Sequence, residues 1–209
     1  MTTRVGVVTD THVGEHLPVV PPEVLEVFAG VDLILHAGDL SDASVLEDLG
    51  RVAPVVAVRG NHDVQPGLEH LGRDLLVSVG GARIGLTHGH RSAAVEFPAA
   101  ALSLLSGRPR LMNFESSMRR HFRDVDVVVT GHLHMPVHRV VRGALVFSPG
   151  AVYVPEQDPG FDWSGISGRG FRRFRERLPA EARRPAVGII EIDGDGIRTR
   201  RIPLLRPVL

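Results

Sequence analysis

The stretch Val55-Val56-Ala57-Val58-Arg59-Gly60-Asn61-His62-Asp63 passes from apolar residues directly into a polar turn. Its first four residues form a continuous apolar run, which is typical of a buried strand. An amide, an imidazole and a carboxylate follow in a row, and such groups are costly to bury without partners. Glycine, asparagine and aspartate are also ordinary turn residues, so this stretch alone fits a polar turn as well as a binding site.

Four other apolar runs end in the same kind of residue, and this repetition favours a binding site. The polar residues at the ends of the five runs are Asp10 and His12, Asp39, Asn61 and His62, His88 and His90, and His132 and His134. In open α/β sheets, ligands bind in the crevice at the carboxyl ends of the strands. We therefore expect these side chains to meet in one pocket.

Strand and helix patterns alternate along the first third of the chain. Pro21 and Pro22 open a helix pattern, and Ser44 is the predicted N-cap of a second helix that closes at Gly50. The order strand, helix, strand, helix, strand is typical of a parallel sheet with helices on its faces. Three hairpins are predicted further along, formed by Leu75–Val79 with Arg83–Thr87, Val137–Val141 with Ala144–Ser148, and Val187–Ile192 with Ile197–Ile202.

The composition is that of an ordinary globular protein. The 209 residues are 43% hydrophobic and 23% charged, which suffices for one domain with a full core. Basic and acidic residues number 24 each, so no overall field attracts nucleic acid or a membrane. Cysteine is absent, which excludes disulfides and thiolate metal sites. The start of the chain has no signal-peptide pattern and no apolar run reaches transmembrane length, so we expect a cytoplasmic protein without membrane partners.

The donors in the expected pocket indicate a metal site. Carboxylate, imidazole and amide ligands without thiolate suit Mn, Fe, Zn, Co or Ni, and ligand chemistry alone does not separate these metals. The donors are too many for one ion, so we predict two divalent ions, preferably Mn²⁺, about 3.5–4 Å apart. Asp39 is the expected bridge between them, because it follows a central strand and lies between the other donors in sequence.

Two such ions would clamp a phosphate ester and activate a water molecule, so metal-bound hydroxide is the expected nucleophile. His62 would then protonate the leaving oxygen or stabilise its charge. An imidazole in that role needs a carboxylate to fix its tautomer. Asp42, three residues after Asp39, is the predicted partner.

Five motifs of the chain resemble the signatures of the calcineurin-like metallophosphoesterases. The matching motifs are Asp10-x-His12, Gly38-Asp39, Gly60-Asn61-His62-Asp63, His88-Gly89 and Gly131-His132-x-His134, and together they extend from about Arg4 to Gly150. The compact size and short spacings are similar to the small bacterial and archaeal phosphodiesterase branch, which is related in fold to the retromer subunit of eukaryotes.

The resemblance implies an α/β fold with four αββα layers, in which two mixed sheets pack face to face between helices. It implies two ligand sets that share one carboxylate: Asp10, His12, Asp39 and His134 for one ion, and Asp39, Asn61, His88 and His132 for the other. It also implies His62 as the catalytic histidine and Asp42 as its acidic partner. Ala43 stands where protein Ser/Thr phosphatases carry an arginine, which argues against that activity.

Two segments of this single predicted domain, residues 93–123 and 155–185, lie outside the resemblance. The first follows His90 directly and is predicted to form a helical cap over the site. The second is rich in Gly, Pro and Arg, which favours a solvated or mobile loop; the alternative is a flap that brings arginine to the substrate phosphate. Arg91 and His90 are candidate substrate contacts because they lie near His88. The remaining histidines interpreted as structural or surface residues are His16, His36, His70, His121 and His138.

Three classes of function remain. The leading hypothesis is a metal-dependent phosphoesterase, preferably a phosphodiesterase acting on small or nucleotide-like diesters rather than a phosphomonoesterase. A protein-interaction scaffold of the retromer-subunit type is the first alternative, and the intact ligand set with His62 argues against it. A nuclease is the second, and the zero net charge weakens it although the Arg-rich segments keep it open. Hairpin edges can also pair, which would give a homodimer.

Overall fold

The computed structural model describes residues 1–92, 94–96, 98, 101–102 and 113–205, apart from the side chains of residues 165–168. The predicted cap at 93–123 therefore lies partly outside the described residues. The strands are β1 Thr3–Val8, β2 Leu33–His36, β3 Val55–Ala57, β4 Asp74–Val79, β5 Ala82–Thr87, β6 Val127–Val129, β7 Pro136–Val141, β8 Ala144–Pro149, β9 Ala186–Asp193 and β10 Gly196–Pro203. The α-helices are α1 Pro22–Val27, α2 Ser44–Gly50, α3 Phe114–His121 and α4 Gly165–Glu176, with short 3-10 turns at Pro155–Gln157 and Ala180–Arg183.

The strands form two mixed five-stranded sheets. The first has the order β10-β9-β1-β2-β3 and the second β4-β5-β6-β8-β7. In the first sheet β1, β2 and β3 are parallel, while β9 and β10 form an antiparallel hairpin at its other edge. In the second, β5, β6 and β8 are parallel and each edge strand is the antiparallel partner of a hairpin. All three predicted hairpins are thus confirmed.

The two sheets pack face to face through their apolar residues. Val7 and Leu35 of the first sheet share a buried cluster with Ile84, Val129 and other residues of the second. The outer face of the first sheet packs on α1 and α2, and the outer face of the second packs on α3. The order of layers is helix, sheet, sheet, helix, as the resemblance implied. The simple parallel sheet predicted from the first third of the chain, strands β1 to β3, forms only one part of the first sheet.

Helix α2 begins at the residue predicted to cap it, one residue earlier than expected. Ser44 is the first helical residue, and its backbone N–H donates to Oδ1 of Asp42 at 2.8 Å. Asp42 therefore supplies the oxygen that the predicted Ser44 cap would have supplied. The helix ends at Gly50 as predicted. Within the described part of the chain, every helix is too short or too polar to cross a bilayer.

Candidate active site

The carboxyl ends of the parallel strands bend sharply at the predicted ligands. Five of the seven have a left-handed backbone, namely Asp10 (φ 53°), His12 (48°), Asp39 (56°), His132 (71°) and His134 (49°). This region of φ costs an L-residue about 1–3 kcal/mol. Strain of this kind, repeated at one end of two sheets, is typical of a functional site.

Two glycines of the motifs make room for carboxylates. A methyl group added at Gly60 would lie 2.0 Å from Oδ1 of Asp39. One added at Gly131 would lie 1.9 Å from Oγ1 of Thr9 and 2.9 Å from Oδ2 of Asp10. The glycines beside Asn61 and His132 are therefore required by close approach of side chains from other strands.

Asp10, His12 and His134 form the first group of donors. Nε2 of His12 lies 3.3 Å from Nε2 of His134, which in turn lies 3.4 Å from Oδ1 of Asp10. Asp39 is close by, with its Oδ2 3.7 Å from Nε2 of His12. Burial alone would raise the pKa of Asp10, but the neighbouring histidines, first among them His134, hold that pKa well below its usual range.

Asp39, Asn61 and His88 form the second group. Nε2 of His88 lies 3.2 Å from Oδ2 of Asp39 and 3.1 Å from Oδ1 of Asn61. Burial would lower the pKa of His88, but the hydrogen bond to Asp39 and the charges of Asp10 and Asp39 outweigh it and raise the pKa to about 9. The two groups meet at Asp39, the residue predicted to bridge.

The orientation of two rings tests whether these residues suit metal ions. Nδ1 of His12 donates to Oε2 of Glu15 at 3.1 Å, and Nδ1 of His88 donates to the carbonyl oxygen of Ala37 at 2.8 Å. In each ring Nε2 then faces Asp39, and it is the nitrogen that carries the lone pair when the ring is neutral. Metal-ligating histidines are held in this way, with the remote N–H donated to a carboxylate or a carbonyl. Electron-pair donors that converge on one point need a cation between them, so the residues fit divalent metal ions.

His132 is the predicted ligand that the structure places differently. Its ring faces the same cleft, 5.1 Å from the ring of His88. Its Nε2, however, lies 2.8 Å from Oε1 of Glu96, and its backbone N–H donates to the carboxylate of Asp10. Glu96 comes from the predicted cap and was missed by the sequence analysis. Burial would raise its pKa, but the hydrogen bonds with His132 and the Arg91 N–H, together with the charges of these two residues, lower it.

His62 lines the cleft, and Glu15 is its acidic partner. Nδ1 of His62 lies 3.0 Å from Oε1 of Glu15, whose Oε2 also accepts from His12 and from the Ser41 hydroxyl. The hydrogen bond with His12, with the charge of His62, lowers the pKa of Glu15 to about 2. The structure does not bring Asp42 to His62, because the Asp42 carboxylate caps α2 at the Ser44 N–H. One feature of the sequence could have indicated Glu15: it is an acidic residue three positions after the predicted ligand His12.

Buried polar residues hold these loops in place. Asp63, which is 3% exposed, accepts hydrogen bonds from the backbone N–H groups of Asp39, Ser41 and Gly60. His36 is fully buried and contacts Thr11 and the N–H of Gly38, in keeping with the structural role expected for it. Burial lowers the pKa of His36 to about 4, so the ring is neutral near pH 7.

The two predicted substrate contacts do not line the cleft that contains the ligands, although the ring of His90 lies 5.5 Å from that of His88. Nε2 of His90 contacts the guanidinium of Arg73 beside a second depression. The guanidinium of Arg91 stacks over the ring of Phe114, and its backbone N–H donates to Glu96. Among the described residues, neither side chain lines the cleft with Asp39 and His62.

The cleft extends from the predicted ligands towards the segment 155–185. It has a volume of about 210 Å³, and its far side is formed by Tyr153, Pro155, Phe161 and Phe171. The second segment therefore lies beside the site, and it contributes aromatic rings rather than arginines. His16, which the sequence analysis left as a structural or surface residue, also lines the cleft.

Comparisons with known proteins agree with this geometry. Residues 3–162 match the model of the calcineurin-like phosphoesterase superfamily domain. A protein of Methanothermobacter thermautotrophicus named "Probable metallophosphoesterase" is 33% identical over 178 residues, which cover 85% of this chain and 90% of that protein.

Two solved structures share the fold. One is an archaeal phosphodiesterase (TM-score 0.57, 23% identity, 97% of this chain and 100% of that one). The other is Vacuolar Protein Sorting 29 of Cryptosporidium parvum (TM-score 0.62, 19% identity, 97% and 99%). The match over residues 3–162 and the relative of Methanothermobacter thermautotrophicus, together with the five motifs, show that the chain belongs to the calcineurin-like phosphoesterase superfamily.

Proposed function

We propose that this chain is a phosphodiesterase that requires two divalent metal ions, with Mn²⁺ as the preferred metal. The observation that carries the proposal is the shared orientation of His12 and His88. Both rings donate Nδ1–H to an oxygen and direct Nε2 towards Oδ2 of Asp39, at 3.7 Å and 3.2 Å. Asp39 is thus the point where the two groups of donors meet.

One ion would be held by Asp10, His12, Asp39 and His134, and the other by Asp39, Asn61, His88 and His132. Bound divalent ions supply positive charge to the phosphoryl oxygens and lower the pKa of water. His132 would exchange its contact with Glu96 for the second ion. The backbone of both ligand loops is fixed beforehand by the hydrogen bonds to Asp63 and Asp10.

His62 is the proposed proton donor to the leaving oxygen. Its ring lines the cleft and lies 4.8 Å from the ring of His12. Because Glu15 accepts a hydrogen bond from Nδ1–H of His62, Nε2 is the nitrogen available to hold a proton for the substrate. The Glu15 carboxylate also stabilises the charged imidazole before transfer.

The charge of the cleft favours a diester over a monoester. A phosphodiester carries one negative charge and a monoester near neutral pH carries close to two. Among the described residues that line the cleft there is no Arg or Lys, so beyond the metal ions little positive charge is present for a dianion. The shared fold with an archaeal phosphodiesterase supports the same choice.

The test is hydrolysis of bis-p-nitrophenyl phosphate by metal-stripped protein after addition of Mn²⁺, Ni²⁺, Zn²⁺ or Mg²⁺. p-Nitrophenyl phosphate is assayed alongside. Asp39→Asn should abolish activity, whereas Asp126→Asn is the matched control, because Asp126 only accepts the Arg83 N–H at the surface. Preference for the monoester would assign a phosphatase instead. Absence of hydrolysis with every metal would favour a protein-interaction scaffold.

A further inference from the structure

One wall of the cleft is aromatic and adjoins the proposed metal ligands. This aromatic wall is formed by His16, Tyr153, Phe161 and Phe171. Tyr153 follows the end of β8, Phe161 precedes α4 and Phe171 lies on that helix. The rings of His16 and Tyr153 are stacked at 4.1 Å with an interplanar angle of 3°. Phe161 lies 6.4 Å from His16 and 6.2 Å from Phe171, so the rings form a continuous surface.

The wall is held rigidly against the ligand loops. Arg175 of α4 is 1% exposed and makes a bidentate ion pair with Glu156, at 2.8 and 3.0 Å. The same guanidinium donates to the backbone carbonyl of His134. Helix α4, which carries Phe171, is therefore tied to one of the proposed metal ligands. The distance between the wall and the metal centre is fixed before any substrate binds.

The wall is more than a continuation of the core. Phe161 packs partly on the core cluster of the first sheet, yet it and Phe171 remain half-buried and line the cleft. Tyr153 is 2% exposed and its hydroxyl donates to Asp158, so its polar end is already satisfied. The surface next to the proposed metal ligands is thus aromatic and largely apolar, with the half-buried rings of Phe161 and Phe171 accessible from the cleft.

We propose that the aromatic wall stacks on a planar aromatic group of the substrate, and that the substrate is a nucleotide-type phosphodiester whose base lies on this wall. The proposal rests on the phosphodiesterase function above and names its substrate class. A phosphate held at the ligands places the adjoining part of the ester in the same small cleft. Because no Arg or Lys lines the described cleft, that part is uncharged rather than a second phosphate. Every base offers a π-face, so stacking selects the class and not one base.

Trp163 provides a readout that does not depend on hydrolysis. It is the only tryptophan of the chain, and its ring lies 4.6 Å from that of Phe161 and 6.2 Å from that of Phe171. The probes are AMP and ribose 5-phosphate, which share a sugar phosphate and differ in the base. Both are titrated into the full-length protein loaded with Mn²⁺, while Trp163 fluorescence is followed.

We expect AMP to bind roughly tenfold more tightly than ribose 5-phosphate and to change the fluorescence more strongly. Phe171→Leu and Phe161→Leu keep an apolar side chain but remove the π-face, so each should reduce this ratio severalfold. Phe174→Leu is the matched control on the same helix, since Phe174 does not line the cleft, and its ratio should equal that of the wild type.

Equal affinities of the two probes in the wild type, or a ratio unchanged in both wall variants, would overturn the inference. Hydrolysis of bis-p-nitrophenyl phosphate is measured on the same preparations. If the protein cleaves this diester but binds AMP and ribose 5-phosphate equally, only the proposed substrate class is contradicted. A protein that binds neither probe and cleaves no ester contradicts the proposed function as well.

Discussion

Nδ1 of His62 lies 3.0 Å from Oε1 of Glu15, a residue 47 positions earlier in the chain. The same carboxylate accepts from Nδ1 of His12. One side chain therefore orients both a proposed metal ligand and the proposed proton donor. Because Glu15 lies in the loop after β1, its carboxylate links the orientation of the proposed ligand His12 to that of the proposed proton donor His62.

Replacement of Glu15 should reduce turnover rather than substrate binding. Glu15→Ala leaves His62 free to rotate, and we expect kcat for bis-p-nitrophenyl phosphate to fall about 10–100-fold, as for other residues that orient catalytic groups and ligands. KM should change little. Steady-state kinetics at saturating Mn²⁺ provide the measurement, and full recovery of metal binding at that concentration is checked by titration.

Asp42→Ala is the matched comparison for Glu15. Asp42 caps α2, so its loss should lower the free energy of unfolding by about 1 kcal/mol, measured by urea denaturation. The kcat should stay within about twofold of the wild type, because catalytic effects follow contact with the reacting groups. A large fall in kcat for Asp42→Ala with none for Glu15→Ala would restore the partner predicted from sequence.

Metal affinity should depend on pH through His88. In the metal-free protein its pKa is raised to about 9, so the ring is protonated below that pH and a metal ion must displace the proton. Each pH unit below about 9 should therefore weaken binding by roughly tenfold while this proton is released. Calorimetric titration with Mn²⁺ at pH 7.0, 7.75 and 8.5 in buffers of different ionisation enthalpy measures both effects. Affinity that does not vary with pH would contradict the assignment of His88 as a ligand.

A methyl group at position 60 should displace the carboxylate of Asp39, the proposed bridging ligand. Gly60→Ala places its Cβ 2.0 Å from Oδ1 of Asp39, and the carboxylate must move. We expect Mn²⁺ affinity to fall by at least tenfold, with hydrolysis reduced in parallel, in the range typical of disturbed metal sites. Gly50→Ala is the control, since an added Cβ there meets no atom within 4 Å. It should bind Mn²⁺ like the wild type.

Removal of the Arg175 guanidinium should destabilise the segment that carries the aromatic wall. Arg175→Met removes the ion pair with Glu156 and the hydrogen bond to the carbonyl of His134. Because the Glu156 side chain is partly exposed, the cost is about 2 kcal/mol. For a chain of this size the Tm should fall by roughly 4–8 °C. Arg172→Met on the same helix removes only an exposed i,i+4 pair with Glu176 and should lower the Tm by about 1–2 °C at most. Differential scanning calorimetry compares the two.

Much of the fold was readable from the sequence because its signals are local. The hairpins at Gly80-Gly81 and Arg142-Gly143 have turn residues between two apolar runs, and the structure confirms both. The parallel strands β1, β2 and β3 are short apolar runs separated by helix patterns, and they pair as expected. The second sheet was not evident from periodicity, and only the resemblance implied it.

The residues that the sequence analysis missed contact partners that are far away in the sequence. Glu96 contacts His132, and Arg175 contacts the carbonyl of His134 from 41 positions away. An acidic or basic residue in an irregular segment carries no periodicity that shows which partner it meets. The Gly and Pro content of the segment 155–185 favours a solvated loop, yet the structure forms helix α4 within this segment. Its aromatic residues, Phe161, Trp163, Phe171 and Phe174, were the better signal, because their rings pack on one another.

The left-handed backbone at the ligand positions also bears on how such a chain can evolve. Glycine adopts these φ values without cost and asparagine does so at little cost. A substitution of Asp10, Asp39 or His132 by glycine would remove a ligand while it relieves local strain. Catalysis can therefore be lost in a single step that leaves the sandwich intact or even more stable. Descendants of such an enzyme have a direct route to roles in which only the shape of the molecule is under selection.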